Sequence, residues 1–389
     1  MRHALTPFTF NTVGSIVFGE GAAARIGEIA AGRGWRSVLL VTDPGLVGLG
    51  IAPAAAASLE AAGLAVRIFS QVEADPPEHV VKAASAAASE AGADAVVGLG
   101  GGSSLDVAKL AALLAAGREE LSAVYGVGNA KGPRLPLMLV PTTAGTGSEV
   151  TPISIVTTGT SEKMGVVSPV LLPDVALLDP ELTWGLPPSV TAATGIDAMV
   201  HAIEAHASAS ANNNPLSRAL AREALRLMGA AIERAVKDGS DRAARADMLL
   251  GSMLAGQAFA NSPVAAVHAL AYPIGGHFHV PHGLSNALVL SHVLRFNAET
   301  AGHLYADIAP VAFPRLAELG SQARGAAFAE ELAGLAARCG LQPRLRDVGI
   351  PREALGMMAD DAMKQTRLLV NNPRPLTRAD AFAIYSAAW

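Results

Sequence analysis

Through the first half of the chain, short apolar runs alternate with Ala-rich stretches whose hydrophobic positions recur every three or four residues. The runs SVLLVTD (37–43), LAVRIFS (64–70), DAVVGLG (94–100) and LPLMLVPTT (135–143) are short and continuous and predict buried strands. Segments 153–158, 164–168 and 174–178 predict further short ones. Strands spaced by helices imply a parallel, doubly wound sheet, because a parallel neighbour is reached through a crossover that packs on the sheet face. After LDPELTWGLPP the strand signals stop. From Ser189 onward, Ala/Leu/Met-rich helical periods broken by Gly, Asn and Pro predict an all-helical second domain. The break falls near Trp184 to Pro188, giving an α/β domain over 1–184 and a helical domain over 185–389, with no internal repeat or low-complexity tail.

Two domains also suit a chain of 389 residues, which exceeds the size at which one core stops growing. Hydrophobic residues make up 51% and aromatics only 4%, so the core is built from Ala, Val, Leu and Ile. The net charge of −5, with scattered basic residues, argues against a nucleic-acid partner. The single Cys339 excludes a disulfide framework and any multi-cysteine metal site, and fits a reducing compartment. The N-terminal stretch lacks the continuous apolar region of a secretory leader, which places the protein in the cytoplasm.

From Met248 to Leu294 there is no Asp, Glu, Lys or Arg, 47 residues in a row. A membrane span does not fit, because the stretch contains Gln257, Asn261, Asn286, three prolines and five of the ten histidines. A buried helical core whose polar groups converge on one point fits better, since buried imidazoles need partners.

Two turns carry the signature of a nucleotide site. The third run leads through Gly100-Gly101-Gly102-Ser103-Ser104-Leu105-Asp106 into a helical stretch, which puts free backbone N–H groups and a helix dipole where a pyrophosphate can sit. The fourth ends in PTTAGTGSE, dense in small and hydroxyl residues, and both turns would face one crevice beyond the strand ends. Asp43, closing the first run, can accept hydrogen bonds from an adenosine ribose and repel a 2′-phosphate, which favours NAD over NADP. The same Asp43 also reads as the acid that starts the turn Asp43-Pro44-Gly45, and a glycine cluster alone also reads as a tight turn. No G-x-G-x-x-G follows the first run, so the cofactor mode is not the ordinary Rossmann one.

Asp197 and His201 stand four apart among Ala, Met, Val and Ile, which puts both on one helix face, roughly 5 to 6 Å apart at Cβ. His268, His277, His279 and His282 then fall within fifteen residues that lack any countercharge, an arrangement that points to a metal.

At these residues the sequence resembles the iron-dependent, group III alcohol dehydrogenase family. The match runs through GGGSSLDVAK, PTTAGTGSEVT, ATGIDAMVHAIEAH, the segment from HALAYPIGG to VPHGLSNALVL, and NNPRP at 371–375. The resemblance implies a dehydroquinate-synthase-like architecture: an N-terminal dinucleotide-binding domain with a parallel sheet, then an all-α metal-binding domain, with the active site in the cleft between them. It implies Asp197, His201, His268 and His282 as metal ligands. Gly101, Gly102 and Ser103 would hold the pyrophosphate, followed by Asp106, and Thr142, Thr143, Thr146 and Lys163 would line the rest of the cofactor path. Asp43 matches the ribose-binding acid.

One departure is Tyr272, where many members carry a second His that is often given a proton-relay role. A phenol titrates near 10 when unperturbed and is a poor base at neutral pH. Tyr also stands here in the hydroxyacid-oxoacid transhydrogenase branch, and His277 is the alternative relay.

The expected activity is hydride transfer between NAD and a small alcohol or aldehyde polarised by a divalent ion, Fe²⁺ by family or Zn²⁺ by ligand type. Val150, Pro152, Phe259 and Tyr272 suggest an apolar pocket. The alternatives are the transhydrogenase and, further off, a dehydroquinate-synthase-type lyase. Members of the family commonly form homodimers or larger oligomers.

Overall fold

The computed structural model describes residues 7–159 and 162–389. Residues 1–6, the start of the segment read as lacking a leader, lie outside them. The chain divides into two compact units. One is Asn11–Gly185; the other is Leu186–Trp389 together with residues 7–10.

The first unit holds strands β1 (Ile16–Phe18), β2 (Ser37–Val41), β3 (Ala65–Phe69), β4 (Ala95–Gly100), β5 (Gly126–Val127), β6 (Leu137–Pro141), β7 (Ile153–Thr158), β8 (Glu162–Val167) and β9 (Val175–Leu178). Its helices are α1 (Ile26–Gly32), α2 (Pro44–Gly48), α3 (Ile51–Ala61), α4 (Glu78–Glu90), α5 (Gly102–Ala115) and α6 (Leu121–Val124). Six strands form a parallel sheet in the order β1-β9-β6-β4-β2-β3. Alternate residues face opposite ways. Val38, Leu40, Val97 and Met138 pack with α1 and α3, whereas Leu39, Val41, Val96 and Leu137 pack with α4 and α5. Burial on both faces explains why these strands read as continuous apolar runs.

The chain leaves β2 first towards β3 and then returns to β4 on the other side, so the order reverses between β2 and β4. The carboxyl ends of these two strands flank the crevice where doubly wound sheets take ligands.

Three features lay outside the sequence reading. β1 is a three-residue edge strand with Ile16 and Phe18 exposed, too short to show a period. β7 and β8 leave the main sheet and form an antiparallel hairpin, and the two-residue β5 adds to β8 in parallel. Strand spacing alone does not tell which sheet a strand joins.

The second unit consists of α7 (Pro188–Ala207), α8 (Pro215–Lys237), α9 (Arg242–Asn261), α10 (Ala266–Phe278), α11 (His282–Ala312), α12 (Ser321–Arg338), α13 (Leu355–Ala362), α14 (Thr366–Leu369) and α15 (Arg378–Ala388), with short 3-10 turns and no strand among the described residues. Asn214 and Asp241 cap α8 and α9 through the amides of Ser217 and Ala244, and Thr377 with Asp380 forms a capping box on α15. α7 packs against α8, α9 and α11, and is buried over almost all its length beyond Thr191. Thr9 exchanges hydrogen bonds with Asn212, which ties residues 7–10 to this unit.

Two buried groups mark the helical core. His206, near the end of α7, has its pKa pushed down to about 4 by burial and by Arg218 and Arg222 nearby. Burial pushes the Cys339 thiol up to about 11, which leaves it protonated and inert.

Candidate functional site

α7 is the helix from which the first cluster is built. Asp197, His201 and Glu204 stand four and three apart, so they share one face, and all three are buried. α10 brings His268 onto that face: ligand atoms of Asp197, His201 and His268 lie within 4.8 Å of one another. His282 opens α11, and its Nε2 lies 3.8 Å from Asp197 Oδ1, the same separation as His268 Nε2. The His268 ring stacks on His201 at 4.7 Å between centroids and stands 5.4 Å from His282, while Phe259 covers the other face of His201 at 4.3 Å.

A glycine makes the third helix fit. A side chain at Gly283 would place Cβ 2.2 Å from the Ala193 carbonyl oxygen, so only glycine lets the start of α11 lie against α7 at the level of Asp197. The PHG sequence thus brings His282 into reach.

Two residues outside the sequence reading complete the cluster. Asn286, fully buried, donates from Nδ2 to Asp197 Oδ1 at 2.6 Å, with His282 Nε2 and His268 Nε2 at 3.3 and 3.4 Å from the same atom. Glu204 faces His268 Nδ1 at 2.6 Å. The signal for Glu204 was its place seven residues after Asp197, two turns further along the same helix face. Asn286, four residues after His282, carried the same kind of signal.

The donor set fits a divalent cation. Donors bound at roughly 2.1 Å stand roughly 3 to 4 Å apart, and the 3.8 Å separations of His268 and His282 from Asp197 match that spacing. Asp197 stays below the usual carboxylate range: burial opposes its ionisation, but the imidazoles of His201, His282 and His268 and the Asn286 amide outweigh it. Asn286 Oδ1 is a buried oxygen without a hydrogen-bond partner, a polar atom that the protein alone leaves unmatched.

Tyr272 and His277 part company. The Tyr272 ring lies 5.9 Å from that of His282, and its hydroxyl accepts a hydrogen bond from Arg367 Nη2 at 3.3 Å. His277 pairs instead with Asp361 on α13 at 2.5 Å.

In the α/β unit, the loops after β2, β4 and β6 gather the other named residues. Asp43 caps α2, its Oδ1 accepting from the Leu46 amide. Its Oδ2 is directed to the start of the glycine turn, within 3.5 Å of where a Gly100 Cβ would stand. Gly101 is the N-cap of α5 and provides no side-chain cap, so the first amides of that helix are free of side-chain partners. Gly102 touches the second turn: a Cβ there would come 2.8 Å from Thr146 Cγ2. Gly101, Gly102 and Ser103 are half-buried, as are Thr143 and Thr146, whereas Thr142 is buried and its amide donates to the Gly100 carbonyl at 3.0 Å.

Beneath the turns lies a polar brace. Lys109, fully buried on α5, donates to Ser148 Oγ, Thr151 Oγ1 and the Ile153 carbonyl at 2.7, 3.2 and 2.6 Å. Asp106 takes Ser148 Oγ on one oxygen and the Ile155 amide on the other, so its carboxylate is spent inside the protein. Burial lowers the Lys109 pKa and raises that of Asp106, and it pushes Glu149 up to about 7. Lys109 was quoted in the sequence but not recognised; its signal was a lone charge inside VAKLAALLAA. Lys163, on β8, pairs with Asp75 and Thr157 at 2.7 and 2.8 Å.

Comparison with known proteins identifies the family. The iron-containing alcohol dehydrogenase family matches residues 14–180, and the C-terminal part of the Fe-containing alcohol dehydrogenase family matches residues 191–389. The long-chain-alcohol dehydrogenase 1 of Geobacillus thermodenitrificans is 41% identical over 374 residues, covering 95% of this chain and 94% of the relative. The chain belongs to the iron-containing alcohol dehydrogenase family. A crystal structure of a 1,3-propanediol oxidoreductase superimposes on the dehydrogenase with a TM-score of 0.95 at 35% identity, covering 98% of this chain and all of the other. The sulfoacetaldehyde reductase of Bifidobacterium kashiwanohense, solved in complex with NAD⁺, gives 0.88 at 29% identity and covers 98% of each chain. The dehydrogenase is therefore an alcohol/aldehyde oxidoreductase, and no helix among its described residues is long and apolar enough to cross a membrane.

Proposed function

We propose that the dehydrogenase transfers a hydride between NAD(H) and a small alcohol or aldehyde whose oxygen is held by a divalent cation bound to Asp197, His201, His268 and His282. The observation that carries this reading is the convergence of one buried carboxylate and three imidazoles from α7, α10 and α11. The segment 248–294 contributes no Lys or Arg, so a bound cation supplies the counter-charge for the buried Asp197 carboxylate. Imidazole and carboxylate suit Fe²⁺ and Zn²⁺ alike, and iron is the family's metal.

The cation contributes Lewis acidity and NAD⁺ contributes the hydride acceptor. The rest falls to the protein. Free amides at Gly101, Gly102 and Ser103 take the pyrophosphate, and Asp43 accepts from the ribose hydroxyls. Thr142, Thr143, Thr146 and Lys163 line the remaining cofactor path, with Asp106 and Lys109 keeping the two turns in register. Asn286 holds Asp197, Phe259 keeps water from the His201 face, and Tyr272 presents a hydroxyl near His282. This reading takes residues 1–184 as the cofactor domain and 185–389 as the metal domain. It places the protein in the cytoplasm as a homodimer or larger assembly, in keeping with its inert thiol.

Transhydrogenation between a hydroxy acid and an oxo acid is the second reading, favoured by Tyr272 and by the Arg367 guanidinium beside it, which suits a substrate carboxylate. The deciding assay strips the protein, restores Fe²⁺ or Zn²⁺ anaerobically and follows NADH over alcohols, diols and hydroxy acids. Net NADH from simple alcohols supports the first reading, and turnover only with an added oxo acid the second. His268→Ala should lose both the cation, by elemental analysis, and turnover; full activity in that variant removes the metal assignment.

A further inference from the structure

We propose that Glu204 is a positioning residue for the cation: it fixes the tautomer and ring plane of His268, so that Nε2 alone is offered to the ion. The inference rests on the metal reading above and extends it to a residue that touches no substrate.

Glu204 Oε2 lies 2.6 Å from His268 Nδ1, and the two side chains are 5% and 3% exposed. A neutral imidazole carries a single N–H and a carboxylate only accepts, so this contact puts the proton on Nδ1 and leaves the Nε2 lone pair free. Nε2 is the atom that stands 3.8 Å from Asp197 Oδ1. The other oxygen, Oε1, accepts from the Val267 amide at 2.7 Å. Val267 is the second residue of α10, so its N–H is one of the donors that a helix start leaves unpaired. One carboxylate therefore caps α10 and holds the ring on the next residue. Clamped to backbone in this way, it cannot swing away from His268.

Asn372 and Pro373 of the C-terminal NNPRP segment line the same small cavity as Glu204. The cavity is about 10 Å³, with room for one water molecule, and Asn297 and Tyr305 line it too. Asn297 and Asn372 exchange amide hydrogen bonds at 2.9 and 2.8 Å, and Asn372 also donates to the Arg374 carbonyl. Apart from Glu204 itself, the cavity lining is uncharged: apolar side chains together with Asn297, Tyr305 and Asn372. No Lys or Arg stands there to compete with the imidazole for the carboxylate.

The test uses the full chain stripped of metal and titrated with Co²⁺ against a competing chelator. The parent, Glu204→Gln and Tyr305→Phe are compared by affinity and by the visible Co²⁺ spectrum. Glutamine keeps the size but offers one acceptor and one donor to two N–H groups, so one contact must be lost. Removing an outer hydrogen-bond partner of a metal ligand typically costs about 10- to 100-fold in affinity, which is the loss expected for Glu204→Gln, with a shifted spectrum and the circular dichroism of the parent. Tyr305→Phe, which keeps both Glu204 contacts, should lose less.

Independently, ¹⁵N-histidine spectra of the stripped parent, with His268 assigned by difference from His268→Gln, should show the Nδ1–H tautomer. Parent-like affinity and spectrum in Glu204→Gln overturn the proposal, and so does an Nε2–H tautomer even if that variant fails to fold. A parent that binds no cation sinks the metal reading and this inference together, whereas equal binding by parent and Glu204→Gln sinks this inference alone.

Discussion

Asp43 and His206 each carry a consequence that a single substitution tests. The Asp43 carboxylate spends Oδ1 on the cap of α2, and Oδ2 remains beside the glycine turn. A hydrogen bond to a charged acceptor is worth about 1.5 to 3 kcal/mol, so Asp43→Asn should lower kcat/KM for NAD by roughly 10- to 100-fold. The same change removes the repulsion of a 2′-phosphate and should improve use of NADP; an unaltered ratio of the two would remove Asp43 from cofactor choice. His206 acts on stability. Its folded pKa of about 4 lies below the ordinary histidine value of 6.5. Between these values the unfolded chain binds the extra proton, so stability falls as pH drops from 6.5 towards 4, by about 3 kcal/mol in all. Urea unfolding of the metal-free protein should show that slope, and His206→Leu should flatten it; an unchanged slope in the variant would clear His206 of the effect.

At the scale of elements, the tie between α5 and β7 is the feature most open to test. Lys109→Met removes three donors from under the second turn and strands the Asp106 carboxylate. Breaking a buried pair on one side costs about 3 to 5 kcal/mol, and urea unfolding should register it. NAD⁺ binding should weaken as well, because Ser148 and Thr151 lose their anchor; unchanged affinity would mean that the turns hold themselves. Elements were also where the sequence was most and least informative. β2, β4 and β6 were legible because both faces of a parallel sheet are buried, which makes each strand a continuous apolar run. The gathering of Asp197, His201, His268 and His282 was legible because imidazoles without countercharge are rare in an apolar segment. Glu204 was not, since its role exists only once the start of α10 lands beside it. Lys109 was missed for a related reason: charge in a helix reads as surface until the turn it supports is in place. The hairpin of β7 and β8 has ordinary strand patterning, and nothing local tells it to leave the main sheet.

For the molecule as a whole, the two chemistries are segregated along the chain. The four proposed ligands fall between Asp197 and His282, and the nucleotide turns lie between Asp43 and Ser148. Removing the cation should therefore raise amide hydrogen exchange mainly in α7, α10 and the start of α11. Adding NAD⁺ should slow exchange in the loops after β2, β4 and β6. A ligand held at 1,000 times its Kd stabilises the state it binds by about 4 kcal/mol, which is ample for such protection. Uniform changes over the whole chain on chelation would contradict the assignment of the ion to these three helices.

The proposed donors run from Asp197 on α7 to His282 at the start of α11, with two whole helices between α7 and α10, and the Gly283 contact with Ala193 seats α11 against α7. No short peptide of this chain carries the complete set, so a growing or unfolded polypeptide has little with which to capture iron or zinc. On the proposed ligand set, a cation is therefore held only once α7, α10 and α11 have packed together, and the metal content of a preparation then follows the pool around the folded bundle.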